Sequence, residues 1–173
     1  MRVLEDISGK PILGHRAPFF SITKKSLWAL DIMSEMGIRY DSSIFPVRNY
    51  RYGIEDAPRW PHAMTVANNR TLMEFPVTTL HMRGRNLPVA GGAYFRIYPY
   101  AFTRRAFRII NQQGHPVTFY LHPWEIDPQH PRIELPRRIG VIHYFNLRST
   151  EARLRRLLRD FKFAPMQEVL GVT

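Results

Sequence analysis

Two prolines, Pro116 and Pro123, bracket the run Val117-Thr118-Phe119-Tyr120-Leu121-His122, and this run constrains the fold more than any other stretch. Apolar and polar side chains alternate with the period of a strand, and nearly all are β-branched or aromatic. Pro123 has no N–H to extend a central ladder, so the strand ends by delivering His122 to a sheet edge, with Trp124 and Glu125 close behind. In folds built on parallel strands, that edge is where ligands bind. Taken alone, such a histidine is equally a strand-end residue bonded to a backbone carbonyl.

The rest of the chain supports an α/β reading. Pro11–Gly14 reads as a short strand running into the loop that carries His15, Arg16 and Pro18. A helix over 27–36 follows, with Leu27, Leu30, Ile32 and Met36 as its buried stripe and Gly37 as its stop. Residues 38–46 begin as a strand and dissolve into a loop that lasts to residue 71, long enough to suggest function. A strand over 72–77 and a weaker one over 78–85 come next, then Gly91-Gly92, where a sharp bend or a close backbone approach is expected. Thr103 caps a helix to about Gln113, with Phe102, Ala106, Phe107 and Ile110 inward and Gly114 ending it. After the central run comes a second long loop, 127–138. The last helix spans Thr150 to about Lys162 and buries Leu154, Leu157, Leu158 and Phe161. Residues 163–170 read as a closing strand or extended tail. The order helix, glycine stop, strand, loop predicts mostly parallel strands with function on the strand-end loops, in a single domain.

Charge narrows the partners. The net charge is +11, which suits nucleic acid, an anionic polymer or a membrane surface. Of 25 basic residues only four are lysine, and the tightest group (Arg153, Arg155, Arg156, Arg159) lies on one helix. The dispersion of the rest argues against a nucleic-acid-binding domain. No apolar run approaches the roughly 20 residues that span a bilayer, and residues 1–6 lack a signal-peptide pattern. The absence of cysteine excludes disulfides, thiolate metal sites and a cysteine nucleophile. None of this fixes a compartment.

Three segments stand out together: Gly14-His15-Arg16-Ala17-Pro18-Phe19-Phe20-Ser21, Tyr40-Asp41-Ser42-Ser43 and Phe119-Tyr120-Leu121-His122-Pro123-Trp124-Glu125. In this order they resemble the later motifs of the NodB-type polysaccharide deacetylases, carbohydrate esterase family 4. The subgroup linked to exosortase-associated exopolysaccharide systems is similar further along, through Gly84-Arg85-Asn86-Leu87-Pro88, Gly91-Gly92-Ala93-Tyr94-Phe95-Arg96, His122-Pro123-Trp124-Glu125-Ile126-Asp127 and Glu151-Ala152-Arg153-Leu154. The resemblance implies an irregular (β/α) barrel, of which this chain carries the C-terminal half: late barrel motifs over about 1–80 and the subgroup's extension over about 81–173. It implies hydrolysis of N-acetyl groups from amino sugars in an exopolysaccharide, with a divalent metal, usually zinc, activating water, an aspartate as base and a histidine as acid.

By motif position, the resemblance makes His122 the acid that protonates the departing amine. Leu121 becomes the wall of the acetyl-methyl pocket, and Arg16 the arginine that holds the catalytic aspartate. Asp41 lies in the motif that orients the active-site histidine or shapes the groove, though the tryptophan common there in the wider family is missing. Pro18, Trp124 and Tyr94 are expected to line the polysaccharide's groove, the alternatives being a core or wall position for Trp124 and packing against the sheet for Tyr94. The aspartate pair and the His-x-x-x-His pair that supply base and metal ligands should precede Arg16. Only Asp6 does, and no two of the seven histidines lie four apart. The expectation is a chain lacking the first half of its barrel, binding no metal by itself and inactive alone, requiring a missing half or an oligomeric partner. The alternatives are a non-catalytic carbohydrate-binding remnant and, on charge alone, a nucleic-acid-binding domain.

Overall fold

The structure is a computed structural model and describes residues 2–49 and 52–172. The chain is α/β and divides into two compact units, residues 1–87 with 164–173, and residues 88–163.

In the first unit, helix α1 (Arg2–Ser8) precedes strand β1 (Gly14–His15), helix α2 (Trp28–Glu35), strand β2 (Tyr40–Asp41), strand β3 (His62–Thr65) and strand β4 (Thr71–Glu74). The four strands form one sheet in the order β1-β2-β4-β3, with β1, β2 and β4 parallel and β3 antiparallel to β4. Strand β3 lies inside the long segment expected to be a loop. Its reversal into β4 runs through Asn68 and Asn69, both at positive φ, where asparagine is tolerated better than most residues. Strands β5 (Thr79–Met82) and β6 (Arg85–Pro88) make a two-stranded hairpin. Its turn, Arg83-Gly84, has φ of 53° and 73°, the geometry that matches strand twist in a two-residue loop. Among the described residues, neither sheet closes into a barrel.

The core of this unit gathers Ala17, Ile22, Leu30, Ile38, Ile44, Ile54, Val66 and Leu72. Helix α2 contributes Leu30, with Ala29 and Met33 packed beside it. The expected stripe is therefore wrong: Ile32 and Met36 are exposed, together with Trp28. Gly37, at φ 90°, stops the helix as expected. Helix α7 (Met166–Leu170) stands where a closing strand or tail was expected. Its N-cap is Pro165, whose fixed φ favours a helix start and whose missing N–H weakens strand pairing.

The second unit contains helices α3 (Gly92–Ile97), α4 (Tyr100–Gln112), α5 (Arg137–Tyr144) and α6 (Leu147–Asp160). The expected strand over 117–121 shrinks to one parallel bridge between Tyr120 and Gly91. Tyr120 N–H donates to the Ala90 carbonyl at 2.9 Å, and Gly92 N–H to the Tyr120 carbonyl at 3.1 Å. Beyond that the partner segment turns into α3, leaving nothing to pair with, so the ladder ends. Gly91 sits at φ 121° and ψ −155°, a region essentially reserved for glycine, and any side chain there would run into the Tyr120 carbonyl.

Helix α4 buries Ala106, Phe107 and Ile110 as expected, while its N-cap is Pro99 and Thr103 is itself buried. Helix α6 begins a turn earlier than Thr150, at Leu147, with Asn146 in the left-handed conformation as its N-cap residue. Its inner side is Leu147, Thr150 and Leu157, and Leu158 is exposed. Helix α5 starts in the last two residues of the second expected loop, continues through a stretch given no expected element, and has no buried residue. Among the described residues no helix is long and apolar enough to cross a membrane.

Candidate functional site

Each unit assembles one polar cluster at the end of its strand segment. In the first, backbone register brings the groups together. His15 pairs with Asp41 across β1–β2, and Asp41 pairs with Glu74 across β2–β4. Directly opposed residues present their side chains on the same face of a sheet. His15 Nδ1 lies 2.9 Å from Asp41 Oδ1. The hydroxyl of Ser43 also donates to Oδ1, at 2.8 Å, and its N–H to Oδ2, at 2.9 Å. Arg16 donates through Nε to the Ser42 carbonyl at 2.9 Å and through Nη2 to Ser42 Oγ at 2.7 Å. Ser42 Oγ donates in turn to the Phe75 carbonyl, and Ala17 N–H donates to Ser43 Oγ. Pro18 opens a short 3-10 turn, Pro18–Phe20, that holds Phe19 out in solvent, 90% exposed, at φ 57°.

Glu74 is fully buried. Its Oε1 accepts from Ile44 N–H at 3.1 Å, and its Oε2 has no hydrogen-bond partner. Burial first, and the adjacent Asp41 carboxylate second, push its carboxyl up to about 10, against the opposing pull of Ile44 N–H and Arg16. Glu74 is therefore neutral near pH 7.

The second cluster is built on the turn Pro123–Ile126, which starts at His122. Glu125, three residues on, folds back. Its Oε2 accepts from His122 N–H at 2.9 Å and meets His122 Nδ1 at 3.1 Å. Its Oε1 accepts from Arg96 Nε at 2.8 Å, in an ion pair whose side chains are almost wholly buried. Arg96 Nη1 donates to the carbonyls of Ile142, His143 and Phe145, so one guanidinium ties α3 to the end of α5. The His122 side chain is 57% exposed. With Nδ1 turned to the carboxylate, Nε2 is the nitrogen left to exchange a proton with a ligand.

Trp124 is half-buried and stacks on His143 at 4.1 Å, with the Arg96 guanidinium 5.2 Å from its ring centre and His122 5.9 Å away on a tilted stack. Burial first, then the charges of His130 and Arg96, hold His143 below the usual histidine range. Leu121 is half-buried beside His122. Tyr94 is half-buried in α3, its ring 6.1 Å from that of Tyr98.

The structure thus places Arg16, Asp41 and Pro18 in one unit, and Leu121, His122, Trp124 and Tyr94 in the other. The histidine bonded to Asp41 is His15, and His122 takes its carboxylate from Glu125. Sequence reasoning left Glu125, Arg96, Glu74 and His15 out of the site. For Glu125 the signal was present: a glutamate three residues after a turn-opening position, with proline between, is the spacing of a capping box. The zinc implied by the resemblance does not fit these residues. Among the described residues no three His, Asp or Glu side chains converge on a point, Glu74 is protonated, and both oxygens of Asp41 are engaged.

No curated protein and no solved structure matches the chain. A family model described as "Domain of unknown function (DUF3473)" matches residues 42–171, which takes in Glu74 and the whole of the second cluster. That is well over half of the sequence, and the chain belongs to this family.

Proposed function

We propose that the chain supplies the acid side of a polysaccharide deacetylase, acting on N-acetylated amino sugars of an exopolysaccharide within an incomplete (β/α) barrel. The observation that carries this reading is the buried chain Arg96–Glu125–His122, which fixes one imidazole at the surface with Nε2 outward. Amide hydrolysis needs such a group. When the tetrahedral adduct collapses, the C–N bond breaks only as the nitrogen gains a proton, and an imidazolium held by a carboxylate on its other nitrogen delivers it. Glu125 holds the ring in place and offsets the positive charge, and Arg96 keeps Glu125 from turning away. Leu121 offers an apolar neighbour for the acetyl methyl. The base and the metal of that chemistry come from a polypeptide segment other than these residues, so no step here runs through them.

The test pairs binding with turnover. Chitotetraose and its fully deacetylated form are titrated into the chain while ring and amide NMR signals are followed, and acetate release is measured with added zinc. Expected are shifts at His122 and Leu121 for the acetylated sugar alone, and no acetate. Acetate release by the isolated chain overturns the half-site reading. Absence of shifts at His122 at saturating sugar overturns the deacetylase reading itself.

A further inference from the structure

Helix α5 is fastened on one side and bare on the other. Its inner residues are held: His143 stacks on Trp124, Tyr144 stacks on His130 at 5.6 Å, and three carbonyls at its C-terminal end accept from the buried Arg96. Its outer side presents Ile139, Val141 and Ile142, all about half exposed or more. On the helical wheel Arg138, Val141 and Ile142 fall on the side away from Gly140, His143 and Tyr144, with Ile139 at its edge one turn before His143. Phe145, which follows the helix, is exposed as well; the four apolar residues are 45% to 62% exposed. A stable single-domain surface rarely leaves so many large aliphatic side chains side by side.

The rim of the patch is basic. Arg137 and Arg138 open the helix and Arg148 follows it, with no acidic residue between 137 and 148. The unit as a whole is strongly positive. Residues 88–163 hold thirteen basic and five acidic residues, so +8 of the chain's +11 is concentrated there. An apolar helix face ringed by arginine is the pattern that lies in a membrane interface, its aliphatic groups among acyl chains and its cations among anionic headgroups. The buried Arg96 clamp sets that face before any ligand arrives.

We infer that the outer face of α5 docks this unit on the surface of an anionic lipid bilayer, lying on the membrane and not spanning it. Arg96 and Trp124 enter only as the contacts that hold α5, and neither proton transfer by His122 nor the Asp41 cluster is used, so the docking stands or falls independently of the deacetylase reading.

Co-sedimentation of the chain with vesicles of phosphatidylcholine alone, or mixed with phosphatidylglycerol, tests it. Expected is binding to the mixed vesicles only, weakening as salt shortens the Debye length. Val141→Ser with Ile142→Ser removes the apolar contact without changing charge, and Arg137→Gln with Arg138→Gln removes two cations. Each pair is expected to weaken binding about tenfold or more. These side chains are largely exposed, so the variants fold, which circular dichroism verifies. Binding unaffected by the serine pair means attraction by charge alone, as to any polyanion, and overturns the proposal. So does failure to bind mixed vesicles, or concentration-dependent self-association abolished by the same serines, which would assign the face to a second copy.

Discussion

Replacing Glu74 by glutamine should stabilise this protein at neutral pH. Glu74 is fully buried with Oε2 unpartnered, and its carboxyl is pushed up to about 10. In the unfolded chain it ionises near the ordinary value of 4.5. The folded state therefore keeps a proton that the unfolded state releases. For such a group stability is fully present below the unfolded value and declines as pH rises toward the folded one. Each pH unit in that window costs about 1.4 kcal/mol, so the loss at pH 7 is about 3 kcal/mol. Glutamine ionises in neither state. Its carbonyl oxygen can accept from Ile44 N–H as Oε1 does, and its amide can donate toward Asp41, as the protonated carboxyl would. Urea unfolding of both proteins at pH 7 and again near pH 4.5 measures the difference, since other titrations are common to both and cancel. Expected is a variant more stable by about 3 kcal/mol at pH 7, with the gap closing at the acid end. A variant less stable at pH 7, or a gap independent of pH, would mean that Glu74 is ionised in the fold and would refute the reasoning.

Glu125→Gln probes the other cluster with the opposite sign. It leaves the Arg96 charge buried without its counter-ion, and a loss of about 3 kcal/mol in urea unfolding is expected. In the same variant, ¹⁵N spectra should show His122 losing its preference for carrying the neutral-form proton on Nδ1; an unchanged pattern would mean that Glu125 does not set the tautomer. Gly91→Ala should cost about 3 kcal/mol, because φ 121° is unfavourable for any side chain and a Cβ would meet the Tyr120 carbonyl. A cost under about 1 kcal/mol would show that the Gly91–Tyr120 bridge shifts freely.

The helices that sequence periodicity placed well are those whose burial and termination are local. Helix α4 repeats its inner residues over three turns, and α2 and α4 are followed by Gly37 and Gly114, both at positive φ. What failed depends on partners distant in sequence. The run 117–121 has the alternation of a strand, but a strand needs a neighbour, and residues 90–92 offer only one bridge before turning helical. Helix α5 was hidden for the converse reason. Its outer residues look like core by composition, and no periodic buried face marks it because none of its residues is buried.

The two clusters show how much of a site such a chain can reveal. In both, a buried carboxylate meets a histidine Nδ1, with the imidazole nearer the surface: His15 on Asp41 and His122 on Glu125. The histidines, and the glutamate three residues beyond His122, are visible in the sequence. The second neighbour of each carboxylate is not, and that neighbour divides the chemistry. Beside Asp41 lies another acid, Glu74, supplied by strand register thirty-three residues away and pushed toward its neutral form by burial and by Asp41, and their histidine shares a network closed by serines. Beside Glu125 lies a cation, Arg96, brought from α3, which pairs with the carboxylate and fixes it. An immobile carboxylate behind an exposed imidazole holds Nδ1 and leaves the far nitrogen, Nε2, turned to solvent. On that ground His122 is the histidine of the two whose ring is held by a clamped carboxylate with its far nitrogen open to a ligand, and the arginine that fixes that carboxylate sits in a segment where the resemblance gave Arg96 no role.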